Sequence, residues 1–295
     1  MILINTVYII VAGILWGIIS LFVTQLQSLG LSSMEIVALR VFFSAVILSV
    51  YILIKDKSKL KINPKDIPLF IGTGIGSIVF FNFCYFEAIE IIGGASVPAL
   101  LLYTAPIFVM IISLFLFREK ITVRKILSLV ITFTGLILVT GAFSSGEKLS
   151  PKAVLLGLGS GLGYALYSIF GKYLVPKYNS LTVTVWTFII ATLGAVPFSG
   201  ILTDIQLFMN WKGLICSVML AFLSTVLPFL FYTKGLSGTD AGKASILATI
   251  EPFVATVVGI TVFDEKITAV KITGMLLILA AMIILNIGSK SKTNK

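Results

Sequence analysis

The chain repeats itself. From Glu119 it reads E-K-I-T-V-R-K, and from Glu265 it reads E-K-I-T-A-V-K. The same spacing of 146 residues carries Pro106 to Pro252, Ala95 to Ala241, and Gly13 and Gly17 to Gly159 and Gly163. No gap separates these matches, so a unit of about half the chain was duplicated. The fold must therefore consist of two copies of one smaller arrangement, a construction common among proteins built inside membranes.

Composition identifies the solvent of both copies. The chain is 58% hydrophobic and 12% charged, with a mean hydropathy of +1.11. A soluble domain carries roughly twice that charged fraction. The apolar residues form ten long runs, at 7–29, 34–54, 68–91, 94–117, 122–142, 153–175, 181–200, 212–233, 243–263 and 268–288. Each is close to the ~20 residues that a helix needs to cross a bilayer. Alternating period-2 segments are absent, which argues against a β-barrel. The first run reads as a membrane helix rather than a leader, because no basic segment precedes it and no small-x-small site closes it. The expected fold is all-α and integral to the membrane, with ten transmembrane helices.

The net charge of +10 invites a nucleic-acid partner, but its distribution explains it otherwise. With the N-terminus placed in the cytoplasm, 16 of the 22 Lys and Arg fall in cytoplasmic segments and 5 in external ones, and Arg40 lies within a helix. This is the positive-inside bias. Each copy holds five spans, an odd number, so the two copies are expected to be inverted relative to one another, with both termini cytoplasmic. The loop at 118–125 is then internal and its copy at 264–271 external. Arg118 and Arg124 of the first become Asp264 and Val270 of the second, as that topology favours. The domains expected are a first five-helix unit at 1–142, a second at 153–288 and a cytoplasmic basic tail at 289–295. The setting expected is a cell membrane, the bacterial cytoplasmic membrane in particular.

Missing residues narrow the chemistry. There is no histidine, which removes Ser-His-Asp and Cys-His catalysis and histidine metal ligation. The two cysteines, Cys84 and Cys216, are not repeat equivalents and read as packing residues. No Gly-Lys-Ser/Thr phosphate loop is present. No catalytic residue, metal or cofactor is expected, and no nucleic-acid partner; the partners expected are a small-molecule substrate, the lipid bilayer and protons as a possible coupling ion.

The polar residues inside the runs are the candidate site. Gly13, Trp16, Gly17 and Ser20 share one face of the first helix; the glycines suit close helix packing, and Trp16 suits a cavity wall. The matching stripe of the sixth helix carries Gly159, Gly163, Tyr164, Tyr167 and Ser168, and the third helix offers Asn82 and Tyr85. Tyr85 and Tyr167 also fit an interfacial belt, whereas Tyr103 and Tyr164 lie deeper. Arg40 lies some five residues inside the second helix. It reads either as an ion pair with Glu35, Glu87 or Glu90, or as a receptor for a substrate carboxylate. Glu251 is the deepest acid, some eight residues into the ninth helix, where a carboxylate costs ~2.5 kcal/mol or more. It precedes Pro252, which frees the carbonyl of Ala248. It reads as a substrate- or proton-binding group, or else as a carboxyl capping freed backbone. Pro98, Pro106, Pro228 and Pro252 are expected to interrupt helices, with Pro106, Pro228 and Pro252 as hinges.

Ten spans in two halves, with Pro106 through Glu119 and Pro252 through Glu265 each running into Lys-Ile-Thr, resemble the drug/metabolite transporter superfamily. The closest group is the EamA-type ten-helix permeases. The resemblance covers essentially the whole chain and includes G-I-L-W-G at 13–17, G-L-G-Y-A-L-Y at 161–167 and Arg40. It implies helices 1, 3, 4, 6, 8 and 9 around a central cavity, and export of amino acids or related small metabolites by alternating access. An exchanger of nucleotide sugars or organic phosphates is the second reading, and it would want more Lys or Arg in the pore than Arg40. A membrane enzyme or scaffold is the reading from another class; the missing histidine and the short loops argue against it.

Overall fold

A computed structural model describes residues 2–142 and 150–286; the basic tail expected at 289–295 lies outside the described residues. Ten helices are long and apolar enough to cross a membrane. We number them 1 (Leu3–Ser28), 2 (Ser33–Lys55), 3 (Pro64–Ile92), 4 (Ser96–Leu116), 5 (Val123–Thr140), 6 (Pro151–Leu174), 7 (Ser180–Phe198), 8 (Trp211–Leu236), 9 (Ala241–Val262) and 10 (Ala269–Asn286). No strand occurs among the described residues. Each expected run is matched by one helix, with ends moved by a few residues; helix 1 begins earlier than its most apolar stretch.

Local sequence sets the ends. Ser32 accepts from the Glu35 amide while the Glu35 carboxylate accepts from the Ser32 amide, at 3.3 and 2.7 Å, a reciprocal cap for helix 2. Thr122, Ser150, Asn179 and Asn210 cap helices 5, 6, 7 and 8 in the same position.

The duplication is visible in the backbone. Helix 4 divides into Ser96–Leu102 and Ala105–Leu116, and helix 9 into Ala241–Ala248 and Glu251–Val262. The residues at the two breaks, Tyr103 and Thr249, share a conformation, φ −75°, ψ 8° and φ −70°, ψ 11°. The cause is Pro106 and Pro252, which lack an N–H and crowd the carbonyl four residues earlier. Carbonyls near the breaks are recovered by hydroxyls: Thr104 donates to Leu101 at 2.6 Å and Thr249 to Ile246 at 2.5 Å. Widened π-helical turns at 72–79 in helix 3 and 222–226 in helix 8 overlap under the 146-residue shift. Arg118 and Asp264, also 146 apart, both have positive φ, 54° and 53°.

Two sequence expectations need correction. Pro98 does not interrupt its helix; it lies in the first turn of Ser96–Leu102, where few backbone hydrogen bonds are lost. Glu251 is not inside a continuous helix but is the first residue of the second half of helix 9.

Glycines set the closest approaches. A Cβ on Gly13 would lie 2.9 Å from the Ala248 carbonyl oxygen, and one on Gly17 would lie 2.8 Å from that of Glu251. Helix 1 is thus pressed onto the break in helix 9. Gly135 and Gly274 bring helices 5 and 10 together in the same way.

Loops cluster at two faces. On one face, Lys177 and Tyr178 hold Asp66 at 2.6 and 2.7 Å, and Lys172 donates to Leu236 and Thr239. On the other, Cys216 donates to the Phe22 carbonyl and Phe43 packs on Phe208.

Candidate functional site

The break in helix 9 puts a carboxylate at the start of a helical segment. Glu251 lies there with the positive end of the peptide dipoles behind it, a position that favours an anion. The carboxylate is deep among the helices yet keeps some accessible surface, as a group facing a cavity does. Tyr164 of helix 6 donates to it at 3.2 Å. Tyr103, at the break in helix 4, interacts with the same carboxylate. The two broken helices thus meet at this acid. Hydrogen bonds to a charged group contribute about 1.5–3 kcal/mol each, which offsets part of the burial.

Arg40 is the second charge. It is the eighth residue of helix 2, about 10 Å from that end at 1.5 Å per residue, and only 7% of its surface is exposed. It is close enough to Glu251 and Tyr164 to interact electrostatically with both. No ion pair joins its guanidinium to an acid among the described residues, and its Nε has no hydrogen-bond partner. The expected pairing with Glu35, Glu87 or Glu90 is therefore incorrect. One carboxylate oxygen of Glu35 is taken by the cap of its own helix, and the acid with which Arg40 interacts electrostatically is Glu251.

Beside this pair lies an aromatic chamber. Trp16 meets Phe229, Tyr232 and Tyr164 with ring centroids 5.1, 5.4 and 6.1 Å apart. Phe81 stands edge-on to Tyr164 at 5.5 Å. Ser77, Ser168 and Ser245 add hydroxyls to the wall. The cavity they leave has about 10 Å³ of space, room for roughly one water. Tyr164 belongs to both groups, with its ring on the chamber and its hydroxyl on Glu251.

The expected residues divide accordingly. Arg40, Tyr85, Tyr103, Tyr164 and Glu251 come together, since Tyr85 also interacts with Glu251. Trp16 and Tyr167 line the chamber. Tyr167 is not an interfacial residue: it is buried, and its hydroxyl is 2.6 Å from that of Thr233. Asn82 is spent on its own helix, where its amide donates to Ile78 at the widened turn. Ser20 is half-buried, and its hydroxyl makes no hydrogen bond among the described residues. Pro106 and Pro252 stand at the two breaks, and Pro228 follows the widened turn of helix 8. Among the described residues no contact ties the Ala248 carbonyl to Glu251, so the expected backbone-capping role has no support in the geometry.

Tyr232, Phe229 and Ser245 were not anticipated. Tyr232 lies two residues before Lys234, which marks a helix end and hides its inward direction. Its hydroxyl is 2.6 Å from that of Ser168. A signal existed in the spacing: Phe229 and Tyr232 stand three apart, on the face of helix 8 that also carries Pro228 and Thr225.

The site can do one thing plainly. It presents an anion and a cation at a distance, unjoined, with tyrosine hydroxyls between hydrophobic walls. Such a site can take an ammonium at Glu251 and a carboxylate at Arg40.

Comparisons with known proteins bear on the family and the fold. The sequence model of the family described as "EamA-like transporter family" matches residues 3–141 and again 151–287. An "Uncharacterized transporter" of Archaeoglobus fulgidus is 27% identical over 256 residues, 86% of this chain and 88% of that protein. A "Probable amino-acid metabolite efflux pump" of Salmonella typhimurium is 22% identical over 229 residues, 74% of this chain and 77% of that protein. One crystal structure superposes with a TM-score of 0.81 at 17% identity, covering 96% of both chains, which shows a shared fold.

Proposed function

The chain belongs to the EamA-like transporter family and is a multi-pass protein of the cell membrane; on that premise we propose that it is a secondary active exporter of amino acids or closely related metabolites. Its two units, at 1–142 and 153–288, are inverted relative to each other, with both termini in the cytoplasm. The cavity at Glu251 opens alternately to either side, with Pro106, Pro228 and Pro252 at the bending points.

The observation that supports this reading is the unjoined pair Arg40 and Glu251. A buried charged group left without its partner costs several kcal/mol. That cost is retained in a binding site when the ligand supplies the missing contact. A zwitterion supplies both: its carboxylate meets the guanidinium and its ammonium meets the carboxylate. Without ligand, a proton on Glu251 serves in place of the ammonium, which couples substrate release to proton uptake. An organic phosphate would demand more cationic groups than one, and Arg40 is the only arginine facing the site. A relative named as an amino-acid metabolite efflux pump points in the same direction.

The test is counterflow in proteoliposomes with labelled amino acids and their analogues. Uptake should require both ends of the zwitterion, so the free amine and the free acid of the same side chain should compete poorly. Arg40→Gln should remove the requirement for the carboxylate. Uptake of phosphorylated compounds alone would overturn the substrate assignment.

A further inference from the structure

The two copies of E-K-I-T stand in opposite conditions. In the first, the carboxylate of Glu119 accepts from the amides of Ala241 and Gly242, at 2.7 and 3.1 Å. Lys125 lies 3.7 Å from Glu119 and 3.2 Å from Asp240. The side chains of Glu119 and Lys125 are only 9% and 8% exposed. The start of helix 9 is thereby fastened to the loop between helices 4 and 5, and Ala241 is fully buried.

In the second copy, Glu265 is 50% exposed. It bonds Lys271 at 2.6 Å and folds back over Gly259, the counterpart of Ser113. The 146-residue shift makes Ala95 and Ser96 the counterparts of Ala241 and Gly242. Ala95 is exposed and Ser96 half-exposed, and neither amide makes a hydrogen bond among the described residues. Helix 9 packs at its start on the second half of helix 4 and on helix 5, whereas the first half of helix 4 makes no comparable contact with helices 9 and 10. One face is shut and its counterpart is parted.

We propose that Glu119 and Glu265 are alternating latches. Glu119 holds one face shut, as seen here. When that face opens, Glu265 leaves Gly259 and takes the amides of Ala95 and Ser96, which shuts the other. A carboxylate accepting from two backbone amides makes strong charge-assisted bonds once water is excluded. Both latches descend from one sequence, so each has the partner geometry of the other. The two cannot be engaged together without sealing the cavity on both sides.

The test reads conformation rather than transport, so its failure is distinct from failure of the substrate assignment. In a full-length background lacking Cys84 and Cys216, a reporter Ser96→Cys is labelled with a membrane-impermeant maleimide. Glu119→Gln weakens the closed face and should slow labelling, by up to about tenfold for the loss of one charge-assisted contact. Adding Glu265→Gln weakens the opposite state as well and should return labelling to within about twofold of the parent, because only a difference between states shifts a population. Labelling of Glu119→Gln at the parent rate would overturn the proposal. So would a double variant as slow as Glu119→Gln alone, since that marks damaged packing rather than a lost latch.

Discussion

The breaks in helices 4 and 9 have the same backbone and different chemistry. Both fall just before a proline, and both end in residues of nearly equal φ and ψ. Yet the residue that opens the second segment is Ala105 in one and Glu251 in the other. Ala105 is fully buried against the core; Glu251 keeps some accessible surface and accepts from the Tyr164 hydroxyl. Duplication thus supplied two broken helices, and divergence placed a carboxylate in one. The same contrast holds elsewhere. Tyr164 of helix 6 replaces what in helix 1 is Ile18, while Trp16 of helix 1 corresponds to Leu162 of helix 6.

The comparison can be broken by giving Ala105 the chemistry of its counterpart. Ala105→Glu puts a carboxylate in the copy where Ile18 and Thr249 are the counterparts of Tyr164 and Tyr103. It should cost about 2.5–3.5 kcal/mol, the figure for a charge at the centre of a span, and reduce the yield of folded protein in the membrane. Normal expression and stability would show that the two breaks are chemically equivalent.

Helix 1 and helix 6 offer a second comparison. Gly13 and Gly159 are repeat equivalents, but Gly13 meets backbone at the break in helix 9, whereas a Cβ on Gly159 would first meet the Cys84 sulfur at 3.3 Å. Gly13→Ala should destabilise by about 1–3 kcal/mol through overpacking, read as a lower Tm in detergent. Removing the hydroxyl that holds Glu251, by Tyr164→Phe, should cost about 1.5 kcal/mol of binding, seen as a roughly tenfold higher KM for substrate with an unchanged Tm. Gly159→Ala is the smallest effect, within about 0.5 kcal/mol of neutral, because the gain in helix propensity opposes a slight contact. Equal losses at Gly13 and Gly159 would return both glycines to a common packing role.

Much of this was legible in the sequence. Ten apolar runs and one spacing of 146 residues define the helices and the repeat, because hydrocarbon leaves the backbone few alternatives. Glu251 was legible from depth alone. Its partner was not: the apolar run places Arg40 only some five residues inside its helix, which suggests an interfacial residue, and distance along a helix says nothing about which neighbour it meets. For Tyr167 the sequence left a cavity wall and an interfacial belt both open for the same reason, and its burial removes the belt. The π-helical turns at 72–79 and 222–226 carry no pattern distinct from an α-helix. The difference between Glu119 and Glu265 is invisible in principle, because nearly identical sequences occupy different states within one conformation.

Glu251 is proposed to bind the charge that moves. Counterflow of a labelled amino acid into proteoliposomes should therefore compare wild type with Glu251→Gln at matched protein amounts. Gln keeps the size of the side chain and its capacity to bond Tyr164. The Gln variant should lose at least about tenfold in rate, equal to ~1.4 kcal/mol, keep a Tm within about 2–4 °C of wild type and lose any dependence of rate on a pH gradient. Wild-type rates with an unchanged pH profile would contradict it and make Glu251 a structural residue.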